Sequence, residues 1–267
     1  MKLLKSSVKA LLQSFGLEIR RSIPSAGIHL ELPLSTLQEF LLQLKASGFS
    51  PKEIYDVGAN RGNWTRSVLP IFPDASYLLV EPQIHLQMEV GDLLANPKIE
   101  LINCALSDHS GHARFSRQSW DVTSHLLGLD DSITLTEREQ SVEIEVMRIG
   151  DLIARRKSIP DFIKIDAEGF DLKVLAGARE AFGTTELFLV EAALCCPTIE
   201  NDVRAVVNRM AEEDYHLSAI VDINTHQWPP LHHSPGIQWL VDLAFLRRGE
   251  TILTSLRQPT RDYMRKI

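Results

Sequence analysis

The sequence predicts an α/β fold: a mostly parallel sheet of seven strands with helices on both faces. Three observations carry this reading. From Glu53 onward, short apolar runs alternate with helical stretches. The first run ends in a glycine-bearing turn, Asp56-Val57-Gly58-Ala59-Asn60-Arg61-Gly62, and three later runs end in carboxylates, Glu81, Asp166 and Glu191.

Composition sets the outer bounds. The chain has 267 residues, 44% of them hydrophobic and 24% charged, which matches one globular α/β domain with additions. A net charge of -7 argues against a nucleic-acid partner, which would want a basic face, and favours small or neutral substrates. Cys104, Cys195 and Cys196 form no metal spacing and no disulfide framework. No apolar run reaches the ~18 residues that span a bilayer, and the start from Met1 to Lys5 has no secretory pattern. These features predict a cytoplasmic protein without a transmembrane segment.

The elements follow in order. Leu4, Val8, Leu11, Leu12 and Phe15 recur at helical spacing opposite Lys2, Lys5 and Lys9. That basic amphipathic helix over residues 2–15 either covers its own domain or a second subunit of a homo-oligomer, or touches a membrane surface peripherally. After Pro24 to Gly27, Ser35 and Gln38 fit a capping box for a helix carrying Leu37, Phe40, Leu41 and Leu44 up to Gly48. Residues 1–48 therefore read as a helical extension, 49–250 as the main domain and 251–267 as a tail.

Strands are expected at Ile54–Val57, Tyr77–Val80, Glu100–Cys104, Phe162–Ile165, Leu187–Val190, Leu217–Val221 and Leu240–Leu246. Between the third and fourth, Ala113–Ser116 and Val142–Met147 alternate enough for a small antiparallel insertion or extended loop over the active-site side. Helices are expected at Phe170 to Phe182, closed by Gly183, and at Ile199 to Asp214 with Val203, Val206, Val207 and Met210 on one face.

Gly58 and Gly62 allow the backbone to turn tightly and to approach a ligand. The turn lacks the G-x-G-x-x-G of a dinucleotide site, so a nicotinamide cofactor is disfavoured. Glu81 stands where α/β nucleotide sites place an acid to accept hydrogen bonds from ribose hydroxyls. Ser107 and Asp108 follow the third strand on a short turn able to hydrogen-bond an adenine. The stretch Ile163-Lys164-Ile165-Asp166-Ala167-Glu168-Gly169 delivers Asp166 and Glu168 to the carboxyl edge, where ligands of open α/β sheets bind. One of them can orient or deprotonate an acceptor hydroxyl, Asp166 being the preferred candidate. Alternatively, Glu168 or Asp171 caps the following helix. Asp166 and Glu191 together admit a divalent cation such as Mg²⁺, although no third ligand declares itself and no metal site is assigned. His125, His232 and His233 are candidate bases, and Trp120, Trp228 and Trp239 candidate sugar-stacking rings.

Taken together, these motifs resemble the FkbM family of S-adenosylmethionine-dependent methyltransferases over about residues 53 to 246. The resemblance rests on the Asp56–Gly62 turn, Glu81-Pro82, Ala105 to Gly111, and Asp166-Ala167-Glu168-Gly169 leading into Val174-Leu175-Ala176-Gly177-Ala178. It implies a Rossmann-like methyltransferase fold whose last strand is antiparallel, and methyl transfer from S-adenosylmethionine, usually to oxygen. The implied acceptor is a sugar hydroxyl of a glycan or a small polyhydroxylated metabolite. By motif, Asp56, Gly58, Asn60 and Gly62 would contact the methionine part of the cofactor, Glu81 the ribose, Ser107 and Asp108 the adenine side, and Asp166 and Glu168 the acceptor. Asp171 departs from the family's usual Glu, and Thr123-Ser124-His125-Leu126 only loosely resembles its serine-rich segment. The competing readings are a nicotinamide-dependent oxidoreductase on a related sheet and a non-catalytic cofactor-fold assembly module.

Overall fold

The computed structural model describes residues 36–117, 125–127, 140–194, 201–224 and 240–249. Its main sheet has seven strands in the order β10-β11-β9-β8-β1-β2-β3. The strands are β1 Glu53–Val57, β2 Ser76–Val80, β3 Ile99–Ile102, β8 Phe162–Ile165, β9 Leu187–Ala193, β10 Tyr215–Asn224 and β11 Leu240–Arg247. Pairing is parallel from β3 through β9, and β11 runs antiparallel to both β9 and β10. The expected strand set and the antiparallel last strand are thus present. The apolar runs read as strands because both faces of the central ones are covered: all five residues of β1 are buried.

Each face carries its own core. Tyr55, Val57, Ile165, Val190 and Leu243 pack under α4 (Ile149–Arg156), α5 (Asp171–Ala176) and α6 (Val203–Glu212) through Leu152, Val174, Leu175, Val206 and Met210. Ile54, Tyr77, Leu79, Phe162 and Leu189 pack under α1 (Leu37–Ala46), α2 (Asn63–Val68) and α3 (Gly91–Leu94) through Phe40, Leu41, Leu44, Val68 and Leu93.

Several boundaries differ from the sequence expectation. The capping box of α1 is Thr36 with Glu39, one residue later than Ser35 with Gln38: the Thr36 hydroxyl accepts from Glu39 N (3.3 Å) and a Glu39 carboxylate oxygen accepts from Thr36 N (3.0 Å). Both spacings satisfy the motif, but only the second puts a charged carboxylate on the helix N-terminus. The helix expected over Phe170–Phe182 ends at Ala176, and turns carry the chain to Gly183. Gly177, which follows, lies so close to the Ser107 carbonyl oxygen that a Cβ there would overlap it. Helix α6 begins after Asp202, whose carboxylate accepts from Ala205 N at 2.7 Å.

The third strand stops at Ile102, and the chain then starts a second sheet of order β4-β7-β5-β6. It comprises β4 Ala105–Leu106, β5 Gly111–Arg117, β6 His125–Leu127 and β7 Gln140–Met147. Among the described residues the expected insertion is therefore a four-stranded sheet, antiparallel except for the β4–β7 pair. Among the described residues no helix is long and apolar enough to cross a membrane.

Candidate functional site

The site grows from the carboxyl ends of β1, β2 and β8. Past Val57 the chain turns through Gly58 (φ +71), Asn60 (φ +47) and Gly62 (φ +73). Gly58 is required by more than its dihedral, because a Cβ there would overlap the carbonyl oxygen of Asp166. Gly62 lies against α3: its Cβ would meet Leu93 Cδ1 at 2.6 Å and Val90 Cγ1 at 3.0 Å. The amides of Gly58 and Ala59 donate to Val80 O at 2.9 and 3.1 Å, stitching the turn to β2.

Glu81 completes that stitching. One carboxylate oxygen accepts from Asn60 N at 2.8 Å and the other from Gln83 N at 2.9 Å. The side chain is buried, and burial raises its pKa above the ordinary carboxylate value against the pull of those hydrogen bonds. The Gln83 side chain donates to the same carboxylate, which with its two oxygens still has room for a hydroxyl donor. Asn103, inconspicuous in the sequence, donates to Glu81 O at 3.1 Å and ties the end of β3 to that of β2.

Asp56 lies one layer deeper. It is fully buried, accepts from the Thr65 hydroxyl at 2.6 Å, and stands 3.2 Å from Lys164 Nζ. The Lys164 ammonium also lies 3.3 Å from Asp166 Oδ2 and donates to Val57 O (3.2 Å) and Gly58 O (2.9 Å). Burial alone would favour the neutral amine, but Asp166 and Asp56 outweigh it and hold Lys164 charged. Neither Thr65 nor Lys164 was expected to matter. Removing the Thr65 hydroxyl in Thr65→Val leaves a buried carboxylate oxygen short of a donor, so a loss of about 1–3 kcal/mol in unfolding free energy is expected from urea denaturation; wild-type stability would contradict the assignment.

Downstream of Asp166 the backbone reverses through Glu168 (φ +51) and Gly169 (φ +92). Asp171 shapes this reversal: Oδ1 accepts from Ala167 N at 3.0 Å and Oδ2 from Gly169 N at 3.2 Å. Asp171 thus supports the turn as the first residue of α5, while Glu168 is free of that duty. The Asn201 side chain donates to Asp171 Oδ2 and to Glu191 O, both at 2.8 Å. Burial, then the Asp166 and Asp171 charges, push Glu168 up to about 8. Burial and Asp166 push Asp171 and Asp242 up to about 7, and Glu191 is raised well above its ordinary value by the same causes.

These shifts give a stability profile. Carboxyls held above the ordinary value of about 4 stabilise the fold while protonated, and that stability is lost as pH rises through the folded values near 7 and 8. Asp151, lowered to about 2 first by its bond with Arg148, acts only in acid. The unfolding free energy is therefore expected to fall between pH 5 and pH 8, with a shallower slope in Asp242→Asn. A flat wild-type profile in denaturant titrations would contradict it.

Ser107 and Asp108 sit at the root of the insertion. Ser107 is buried, its amide donates to Met147 O (2.9 Å) and its hydroxyl to Asp108 Oδ1 (3.1 Å). Asp108 is half-exposed, lies 2.7 Å from His109 Nδ1, and is held below the ordinary range first by that contact. Asp56, Gly58, Asn60, Gly62, Glu81, Asp166 and Glu168 thus surround one sheet edge, with Ser107 and Asp108 on the neighbouring turn. Among the described residues no group of three or more His, Cys, Asp or Glu has the arrangement of a metal site, so Asp166 and Glu191 gain no third ligand. Trp120, Ser124, Cys195, Cys196, Trp228, His232, His233, Trp239 and the segment 2–15 lie outside the described residues, and His125 is described only by its backbone.

Residues 56–217 match the Methyltransferase FkbM domain family. The chain belongs to the FkbM methyltransferase family. The match starts at Asp56 and takes in the glycine turn, Glu81, the whole insertion and the Asp166–Glu168 loop of this FkbM-family chain. Among solved structures, it is similar to Methyltransferase FkbM from Methylobacillus flagellatus KT, with 19% identity, a TM-score of 0.47, and 73% of this chain and 44% of that one covered. The chain thus spans less than half the length of that protein. It is also similar to precorrin-6y C5,15-methyltransferase from Geobacter metallireducens GS-15 (11% identity, TM-score 0.41, 80% and 90% covered). A third likeness is to an O-methyltransferase from neocarzinostatin biosynthesis in complex with S-adenosylmethionine (11%, 0.36, 73% and 49%). No curated protein matches the chain.

Proposed function

We propose that the protein transfers a methyl group from S-adenosylmethionine to a hydroxyl of a glycan or small polyhydroxylated acceptor. One observation carries this choice of cofactor beyond family membership. Asp56, Asp166, Glu168, Asp171 and Glu191 gather at one sheet edge around a single buried ammonium, Lys164. Crowding keeps several of these carboxyls protonated; a bound cation would relieve it and a pyrophosphate would add to it, and S-adenosylmethionine carries a sulfonium. The donor set fits the rest of the molecule: Glu81 for ribose hydroxyls, the Gly58–Gly62 backbone for the methionine part, and Ser107 with Asp108 for the adenine side.

When bound, the cofactor supplies an electrophilic methyl group. The chain supplies the remainder. Asp166, paired with Lys164, is held as an oriented acceptor for the substrate hydroxyl. Glu168 carries no side-chain hydrogen bond among the described residues and has its pKa near 8, which suits it to take the proton as the oxygen attacks. Its left-handed backbone is the kind of strain that persists where a side chain must be aimed. Asp56 acts through Lys164 and Thr65, fixing the turn.

Calorimetric titration with S-adenosylhomocysteine tests the cofactor assignment. Micromolar binding is expected, weakened by on the order of tenfold in Glu81→Gln, where one backbone donor meets an amide NH₂ in place of an acceptor. No heat on titration into the wild-type protein would overturn the assignment.

A further inference from the structure

The acids at this edge outnumber what the cofactor can use, and they extend away from it. One residue beyond the last paired positions of β8 and β9, Ile165 and Val190, come Asp166 and Glu191. Glu191 is paired directly with Asp242 on β11, and Asp242 with Asp222 on β10. Four adjacent strands therefore present Asp166, Glu191, Asp242 and Asp222 in one row, on the face that also bears Lys164 two residues before Asp166. Strands lie about 4.8 Å apart, so Asp242 is about 10 Å from Asp166, beyond a cation seated at the β1–β8 turn. Like charges directly opposite each other destabilise a sheet, and an acid row of this kind wants a counterion.

Lys164 acts on this row, but from its Asp166 end, where it is already shared by Asp166 and Asp56. Among the described residues no side-chain hydrogen bond or salt bridge reaches the carboxylates of Glu191 or Asp242. A second, independent feature lies against the same row. Asn201 is 3% exposed, and its amide NH₂ is committed to Asp171 and to the Glu191 carbonyl, while Oδ1 on the same amide carbon has no partner. An acceptor with no donor among the described residues, next to carboxylates whose one nearby cation is shared with Asp56 and Asp166, suits a ligand that brings both positive charge and several N–H donors. A neutral sugar brings hydroxyl donors but no charge. A protonated primary amine brings both.

We propose that the acceptor is an amine-bearing polyol, such as an amino sugar, whose ammonium group is held by Glu191 and Asp242 with Asn201 beside them while a hydroxyl faces Glu168. This deepens the proposed function and rests on it. Holding the amine protonated removes its lone pair, so the row also directs methylation to oxygen.

The test compares a glucosamine oligomer with its fully N-acetylated counterpart, titrated into the full chain saturated with S-adenosylhomocysteine. The free-amine form is expected to bind on the order of tenfold more tightly, with the preference weakened by salt and lost in Glu191→Gln and in Asp242→Asn. Two single substitutions on different strands guard against a fold defect in one of them. Equal binding of the two oligomers, binding of neither to the cofactor-loaded protein, a preference that survives both substitutions, or methyl incorporation on nitrogen would each overturn the inference. Failure of S-adenosylhomocysteine itself to bind would instead overturn the proposed function, and the inference with it.

Discussion

Glu168→Gln is expected to lower methyl transfer by about 10²–10⁴-fold, the contribution of a positioned general base, while S-adenosylhomocysteine binds as to the wild type. Three features combine to set this expectation. The carboxyl is held up to about 8 by burial and by Asp166 and Asp171, so its deprotonated form is a stronger base than an ordinary carboxylate at neutral pH. Its backbone is held at φ +51 by a turn that Asp171 fixes through two amides. Among the described residues no donor bonds its oxygens. The pH profile separates the two acids of the loop. Wild-type kcat/KM should rise along a limb governed by Glu168, and that limb should vanish in Glu168→Gln. In Asp166→Asn it should persist but move to lower pH, because one repulsive charge is gone. Wild-type turnover in Glu168→Gln would refute the role.

Gly58→Ala is expected to cost about 2–5 kcal/mol of stability, adding the ~1–2 kcal/mol of a left-handed alanine to the ~1–3 kcal/mol of overpacking. The obstacle is main chain: the added methyl would overlap the Asp166 carbonyl oxygen, which cannot rotate away as a flexible side chain would. Gly183→Ala is the matched control, since φ there is +78 and nothing lies within 4 Å of its Cβ. It should show the dihedral cost alone. Because relief at Gly58 moves Asp166 or the turn itself, S-adenosylhomocysteine affinity should fall in Gly58→Ala and hold in Gly183→Ala. Equal stability of the two variants in denaturant titration would refute the close-approach argument.

The sequence made Gly58 conspicuous for a ligand's sake, yet the structure adds a reason of equal weight in the end of β8. The strands were legible because their apolar runs are dictated by burial on both faces, a property of each run by itself. The two-residue β4 was not, being too short to show a period, nor was the close approach of Gly177 to Ser107 across the fold. Within the site, Asp56, Glu81, Asp166 and Glu168 stood out by their place after apolar runs. Lys164, Thr65, Asn103 and Asn201 did not, because each matters through a partner distant in sequence or in a neighbouring element. The acid row across β9, β11 and β10 is invisible without strand pairing, since Glu191, Asp242 and Asp222 have no sequence period in common.

The second sheet leaves and rejoins the core at a single parallel pair, Ala105 with Val146 and Leu106 with Met147. Its entrance and exit are hydrogen-bonded side by side, with Ser107 N closing onto Met147 O and α4 beginning two residues later. The excursion between them is thus a detachable module in the mechanical sense. Chain can be added or removed inside it at only the slowly growing cost of a longer closed loop, without shifting Ser107, Gly177 or the glycine turn. Under the proposed function, the module can therefore change its own length and surface while the turn that would hold the cofactor keeps its place.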